Sequence, residues 1–91
     1  MAEPVLDPAE PLPGEDPDSP FLDDAIHWIS VYSELLSLKR QLLQRADQVL
    51  VGAQADTERE ADADRDLLSR QAERYRRRLE FWRRRAKELA A

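Results

Sequence analysis

The chain has 91 residues, of which 42% are hydrophobic and 36% charged, and its formal net charge is −5. A chain of this length forms at most one small domain. Because it contains no cysteine, disulfide scaffolds, thiolate metal sites and cysteine nucleophiles are excluded. Two glycines are too few for a glycine-rich phosphate-binding loop. We therefore expect a protein that is not an enzyme, with no catalytic residue, metal site or cofactor.

The first twenty residues differ in composition from the rest of the chain. They contain all six prolines and six carboxylates, but no lysine or arginine. Proline lacks an amide hydrogen and disfavours helical angles in the preceding residue, so this segment cannot propagate a helix. Its apolar residues are too few to offset the entropy of ordering it. These features predict a disordered acidic tail over residues 1–20.

The sequence also indicates where the protein resides. Its acidic start is unlike the basic start of secretory and mitochondrial presequences. No apolar run approaches the roughly 20 residues that a membrane span requires. We expect a soluble, cytoplasmic protein without a membrane span.

A long amphipathic helix is predicted over residues 20–51. Ser19 is a suitable cap, Pro20 fits the first helical position, and Gly52 is favoured just past a helix end. Apolar residues recur every seven positions in two neighbouring rows. The first row is Trp28, Leu35, Leu42 and Val49, and the second is Leu22, Ile29, Leu36, Leu43 and Leu50.

After a turn at residues 52–56, a second helix is predicted over residues 57–90. Thr57 and Glu60 match a capping box, in which the two residues satisfy each other's free amides. A narrow heptad stripe follows, made of Leu68, Ala72, Tyr75, Leu79, Trp82, Ala86 and Leu89. A short connection makes two helices antiparallel neighbours. The expected fold is therefore all-α, a coiled-coil-like helical hairpin.

Two registers of this hairpin are compatible with the sequence. One sets Trp28 beside Trp82, and the other, half a heptad away, sets Trp28 beside Ala86. The residues predicted to form the seam are Trp28, Tyr32, Leu35, Leu42, Leu68, Tyr75, Leu79 and Trp82.

The apolar band on the first helix is wider than one partner helix covers. Its second row would stay in water in a lone hairpin, and each such side chain would forgo about 1.5–3 kcal/mol of burial. Exposed apolar patches of this kind mark interaction sites. We therefore predict a partner interface, through which two hairpins form a homodimeric four-helix bundle or one hairpin docks onto another helical protein. The residues assigned to it are Ile29, Leu36, Leu43 and Leu50.

Charge is segregated along the chain. Residues 1–24 carry eight acids and no base, whereas residues 67–91 carry nine bases and three acids. Six of these bases form a possible anion-binding surface, namely Arg76, Arg77, Arg78, Arg83, Arg84 and Arg85. The alternative function is therefore a small nucleic-acid-associated regulator whose arginines contact phosphates.

Helical geometry favours a protein–protein interaction module over that alternative. Three consecutive residues spread over most of the helix circumference, so the arginines cannot all face one groove. Pairs such as Glu73 with Arg77 give them an ordinary role on a solvated face. The acidic tail also emerges at the same end of the hairpin as the arginines. It is therefore a candidate intramolecular competitor for any anionic partner.

Overall fold

In a computed structural model, the chain is helical over most of the part described, residues 11–50 and 55–91. The first helix, α1, spans Leu22–Leu50, and the second, α2, spans Ala55–Ala90. The sequence thus predicts two helices correctly, although α1 begins two residues later and α2 two residues earlier than expected. Gly52, the predicted helix stop, lies outside the described residues.

The two helices pack side by side in opposite directions. Near one end of the hairpin the rings of Tyr32 and Tyr75 lie 6.0 Å apart between centroids. Near the other end Arg65 Nε donates to Asp47 Oδ1 over 2.5 Å. Because the position on α2 decreases as the position on α1 increases, the packing is antiparallel. The predicted helical hairpin is confirmed.

The core of the hairpin is built around two fully buried aromatic side chains, Tyr32 and Trp82. The Tyr32 ring lies 6.1 Å from Trp28 and 6.0 Å from Tyr75, measured between centroids. Aromatic pairs at such distances contribute about 0.5–1.5 kcal/mol beyond the area they bury. The other buried apolar residues are Ala25, Leu36, Ala72 and Leu79.

The apolar stripe that α1 turns toward α2 is only in part the one predicted, because it includes Leu36 beside Tyr32. Leu36, which the sequence analysis assigns to a partner interface, is only 5% exposed. It lines a groove together with Leu43 of α1 and Ala72 of α2. Leu36 therefore belongs to the core of the single chain, and the assignment to a second interface is corrected. The hydroxyl of Tyr32, four residues earlier on this stripe, hydrogen-bonds to Glu15 and helps to fix the rotation of α1.

Residues 11–20, which we call the N-terminal segment, pack against the hairpin. Their first turn runs from Leu12 to Glu15, whose amide donates to the Leu12 carbonyl over 3.0 Å. Pro13 takes the second position, and Gly14 takes the third with φ of 86°. A type II turn requires this left-handed angle, which only glycine adopts at no steric cost.

A second turn connects the segment to α1. The amide of Ser19 donates to the Asp16 carbonyl over 3.1 Å, and Ser19 is buried. Its hydroxyl accepts a hydrogen bond from the Phe21 amide and donates to Asp24 Oδ2 over 2.5 Å, next to the start of α1. The disordered tail predicted over residues 1–20 is therefore not confirmed for the N-terminal segment. Residues 1–10 lie outside the described part of the chain.

Candidate functional site

A carboxylate from the N-terminal segment is held between the two helices. Glu15 Oε2 accepts hydrogen bonds from the Tyr32 hydroxyl over 2.5 Å and from the Leu12 amide over 2.7 Å. Glu15 Oε1 accepts from Trp82 Nε1 and from the guanidinium of Arg78, whose Nε lies 3.2 Å away. We call the three helical side chains Tyr32, Arg78 and Trp82 the Glu15 pocket.

Burial strengthens the electrostatic attraction between Glu15 and Arg78. The side chains of Glu15 and Arg78 are 0% and 5% exposed, so water screens their attraction little. Burial raises the pKa of Glu15, but hydrogen bonds from Tyr32, Arg78, Trp82 and the Leu12 amide lower it more. The net pKa lies below the ordinary value of 4.5. Glu15 is therefore an anion at neutral pH.

The pKa of Tyr32 is raised, whereas that of Glu15 is lowered. Burial, the hydrogen bond to Glu15 and the negative charge of Glu15 raise the pKa of Tyr32 to about 12. The phenol therefore stays protonated at neutral pH and can donate its hydrogen to the carboxylate.

The cation of the pocket is held in place by its neighbours on α2. The guanidinium carbon of Arg78 lies 4.4 Å from the ring centroid of Phe81, a geometry in which the ring face attracts the cation. The ring of Phe81 in turn meets Trp82 edge-on at 5.2 Å. One turn further along α2, Arg85 Nη2 donates to the Ser19 carbonyl over 3.1 Å and ties down the end of the N-terminal segment.

Four of the six arginines predicted to bind anions are engaged within the chain. Arg78 and Arg85 hold the N-terminal segment. Arg76 pairs with both Glu73 and Glu80, at 2.7 and 2.6 Å. Arg77 also pairs with Glu73, at 3.1 Å, and the bonds from Arg76 and Arg77 lower the pKa of Glu73 to about 2. Arg83 and Arg84 are exposed.

The predicted seam is realised in part. Tyr32, Leu79 and Trp82 are buried, while the remaining seam residues are only half-buried. Those half-buried residues are Trp28, Leu35, Leu42, Leu68 and Tyr75. Of the predicted partner interface, Leu36 is buried and Ile29 and Leu43 are half-buried against the core. The side chain of Leu50 lies outside the described part.

A second apolar stripe runs along α1 beside the one that contacts α2. Its residues follow each other at steps of four, three and four positions, the spacing of a helix–helix seam. Leu38 on this stripe is 49% exposed, and the others are half-buried. We call this stripe the α1 flank, and it consists of Val31, Leu35, Leu38 and Leu42.

Glu15 is a site residue that the sequence did not predict. Two turn signals are present on either side of Glu15. Pro13–Gly14 is a typical type II turn pair, and Asp16–Pro17 begins a turn of the common kind in which proline takes the second position. Two turns in succession indicate a folded-back segment rather than an extended one. Nothing in the sequence, however, singles out Glu15 among six nearby carboxylates.

Comparison of the chain with models of protein families, with curated proteins and with solved structures gives no match. In the described residues, neither helix has an apolar stretch that would span a membrane, and no three metal-ligating side chains cluster there.

Proposed function

We propose that this chain is a non-catalytic interaction module that associates with a second copy of itself through the α1 flank. Two hairpins joined in this way form a four-helix bundle with their first helices side by side. The observation that carries the proposal is the exposure of Leu38, 49% in the single chain, in the middle of a stripe with the spacing of a helix–helix seam.

The arrangement of the two stripes on α1 supports this pairing. The stripe that faces α2 contains Ala25, Tyr32 and Leu36, all buried within the hairpin. The α1 flank is displaced from it by only part of the helix circumference, so one helix has two adjacent seams. Helices in bundles use adjacent seams to contact two neighbours, while the lone hairpin supplies one neighbour. A second copy would supply the other.

The test is the mass of the full chain in solution, measured by sedimentation at micromolar concentration. We expect twice the chain mass of 10.5 kDa. Leu38→Glu places a charge in the seam and should return the mass to that of one chain. Ile26→Glu is the matched control, because Ile26 is 54% exposed and lies about 120° away from Leu38 around the helix.

Two results would contradict the proposal. One is a wild-type chain that sediments as a monomer at micromolar concentration while keeping its helical circular dichroism. The other is an equal loss of mass in Leu38→Glu and Ile26→Glu, since that would place the contact elsewhere.

The structure gives less support to nucleic-acid binding. Arg76, Arg77, Arg78 and Arg85 already have acceptors within the chain, so binding phosphates would first break these contacts. A salt titration against generic DNA and RNA separates the two functions. Steep salt dependence would favour the nucleic-acid regulator, and absence of binding at low salt would favour the interaction module.

A further inference from the structure

We propose that the Glu15 pocket is a binding site for an acidic turn peptide of a partner protein, and that the N-terminal segment is its intramolecular occupant. The ligand class is a peptide that carries an apolar residue three positions before a glutamate, joined by a Pro-Gly turn. This site is distinct from the α1 flank and does not depend on self-association.

The side-chain hydrogen-bond donors of the site come from the helices and not from the occupant. The side-chain donors Tyr32, Arg78 and Trp82 all belong to the two helices, and at the pocket the described part of the segment supplies the Glu15 carboxylate and the Leu12 amide. The Glu15 pocket is therefore formed by the two helices and does not depend on side chains of the N-terminal segment. Any peptide that presents a carboxylate in the same turn meets the same donors.

The charge of the Glu15 pocket favours an anionic ligand. Arg78 pairs with Glu15 and is almost completely buried while the N-terminal segment is in place, and without that segment its guanidinium loses a charge-assisted hydrogen bond to a carboxylate. If the N-terminal segment leaves, the pocket therefore favours another anion in its place. Tyr32 and Trp82 restrict that anion to one that accepts hydrogen bonds from a phenol and an indole on opposite oxygens, as a carboxylate does.

The turn in the occupant presents an apolar side chain together with the carboxylate. Leu12 packs against the hydrophobic core while Glu15, three residues later, enters the pocket. The turn at Pro13 and Gly14 brings the two side chains to the same surface. The surface thus recognises an apolar group and a carboxylate together, which is more selective than a charge alone.

The length of the connection explains how the site is kept occupied. Six residues separate Glu15 from the start of α1 at Leu22. Such a short tether gives the segment an effective concentration in the millimolar range. A partner peptide therefore competes well only when it makes additional contacts or when the segment is weakened.

The experiment uses the full chain and a fluorescein-labelled synthetic peptide of residues 11–20 as the probe, with fluorescence anisotropy as the readout. We expect the Glu15→Gln chain to bind the peptide at least about tenfold more tightly than the wild-type chain, because its own segment has lost a charged hydrogen-bond acceptor. Asp18→Asn is the matched control, since Asp18 is exposed and this change also removes one carboxylate. It should bind the peptide no better than wild type.

Two further comparisons identify the contact. A peptide that itself carries Glu15→Gln should bind the Glu15→Gln chain at least about tenfold more weakly than the original peptide. Adding Arg78→Gln to that chain should abolish binding, whereas adding Arg84→Gln, at an exposed arginine, should not.

A second variant guards against loss of folding. Circular dichroism reports whether Glu15→Gln keeps its helices, and if it does not, Leu12→Ala weakens the occupant without changing the pocket. The proposal is overturned if the variant that remains helical does not bind the peptide. It is also overturned if that variant binds the Glu and Gln peptides equally, or if the wild-type chain binds as tightly as the variant.

Discussion

Glu15 and Arg78 lie 63 positions apart in the sequence and form an ion pair from which solvent is almost excluded. The pair joins the segment before α1 to the carboxyl-terminal half of α2, so it closes the chain across the open end of the hairpin. A buried ion pair is weak evidence for net stability, because burying both charges is costly. Removing one partner nevertheless lowers the free energy of unfolding, since the other charge is left buried without it.

Glu15→Gln should therefore destabilise the protein. We expect the free energy of unfolding to fall by about 3 kcal/mol, because the neutral amide leaves the charge of Arg78 without its carboxylate. Urea denaturation followed by tryptophan fluorescence measures this loss. Asp18→Asn, at an exposed position, should change the free energy by less than about 0.5 kcal/mol. Equal effects of the two substitutions would contradict the role of the Glu15 pocket.

Gly14 should tolerate alanine poorly although there is space for it. A Cβ added at Gly14 meets no atom within 4 Å, but the φ of 86° costs an L-residue about 1–2 kcal/mol. We expect Gly14→Ala to lower the free energy of unfolding by this amount. Gly14→Asn should cost less, because asparagine enters the left-handed region more readily. If alanine and asparagine were equivalent, the turn geometry would not explain the glycine.

The titration of Tyr32 should report whether the segment is in place. A Tyr75→Phe background leaves Tyr32 as the one tyrosine, so its ionisation can be followed by absorbance. We expect a pKa of about 12. Glu15→Gln should lower that pKa toward the ordinary 10.0, because it removes the negative charge that opposes ionisation. An unchanged pKa would show that Glu15 does not contact the phenol.

Acid should weaken the hold of the segment. Because the pKa of Glu15 in the folded chain lies below its ordinary value of 4.5, its contribution to stability is present above about pH 4.5 and is lost as the pH falls through the folded value. The free energy of unfolding of the wild-type chain should therefore fall more steeply below this pH than that of Glu15→Gln. Parallel curves for wild type and Glu15→Gln would contradict the assignment.

The two helices could be predicted because their signals are local. Heptad spacing and turn-forming residues are signals that can be read from a few neighbouring positions. The observed helix starts differ from the expected ones by two positions. The rotation of α1 could not be predicted in this way. Two apolar stripes with the same spacing lie side by side on this helix, and periodicity alone does not decide which one faces α2.

The Glu15 pocket was beyond sequence reasoning for a different reason. Its parts come from three separate regions of the chain, represented by Glu15, Tyr32 and Arg78. Composition correctly marks residues 1–20 as poor in apolar side chains, but one buried carboxylate and two turns are enough to fix residues 11–20 on the helices. A segment of low apolar content can therefore be ordered when one of its charged side chains forms a buried ion pair with the rest of the chain.

The choice between the two stripes of α1 can be tested by comparing neighbouring leucines. Leu36 is buried against α2, whereas Leu35 belongs to the α1 flank and is half-buried. In a Leu38→Glu background, which we expect to be monomeric, Leu36→Ala should lower the free energy of unfolding by about 2–5 kcal/mol. Leu35→Ala should cost about 1 kcal/mol, because it removes fewer buried contacts.

Urea denaturation at two protein concentrations provides the measurement for both leucines. An unfolding midpoint that does not depend on concentration establishes that the background is monomeric, so that the costs refer to the single hairpin. If Leu35→Ala proved the more damaging of the two, the stripe first predicted from the heptads would be the true seam. The stripe left for a partner would then be the one that contains Ile29, Leu36 and Leu43.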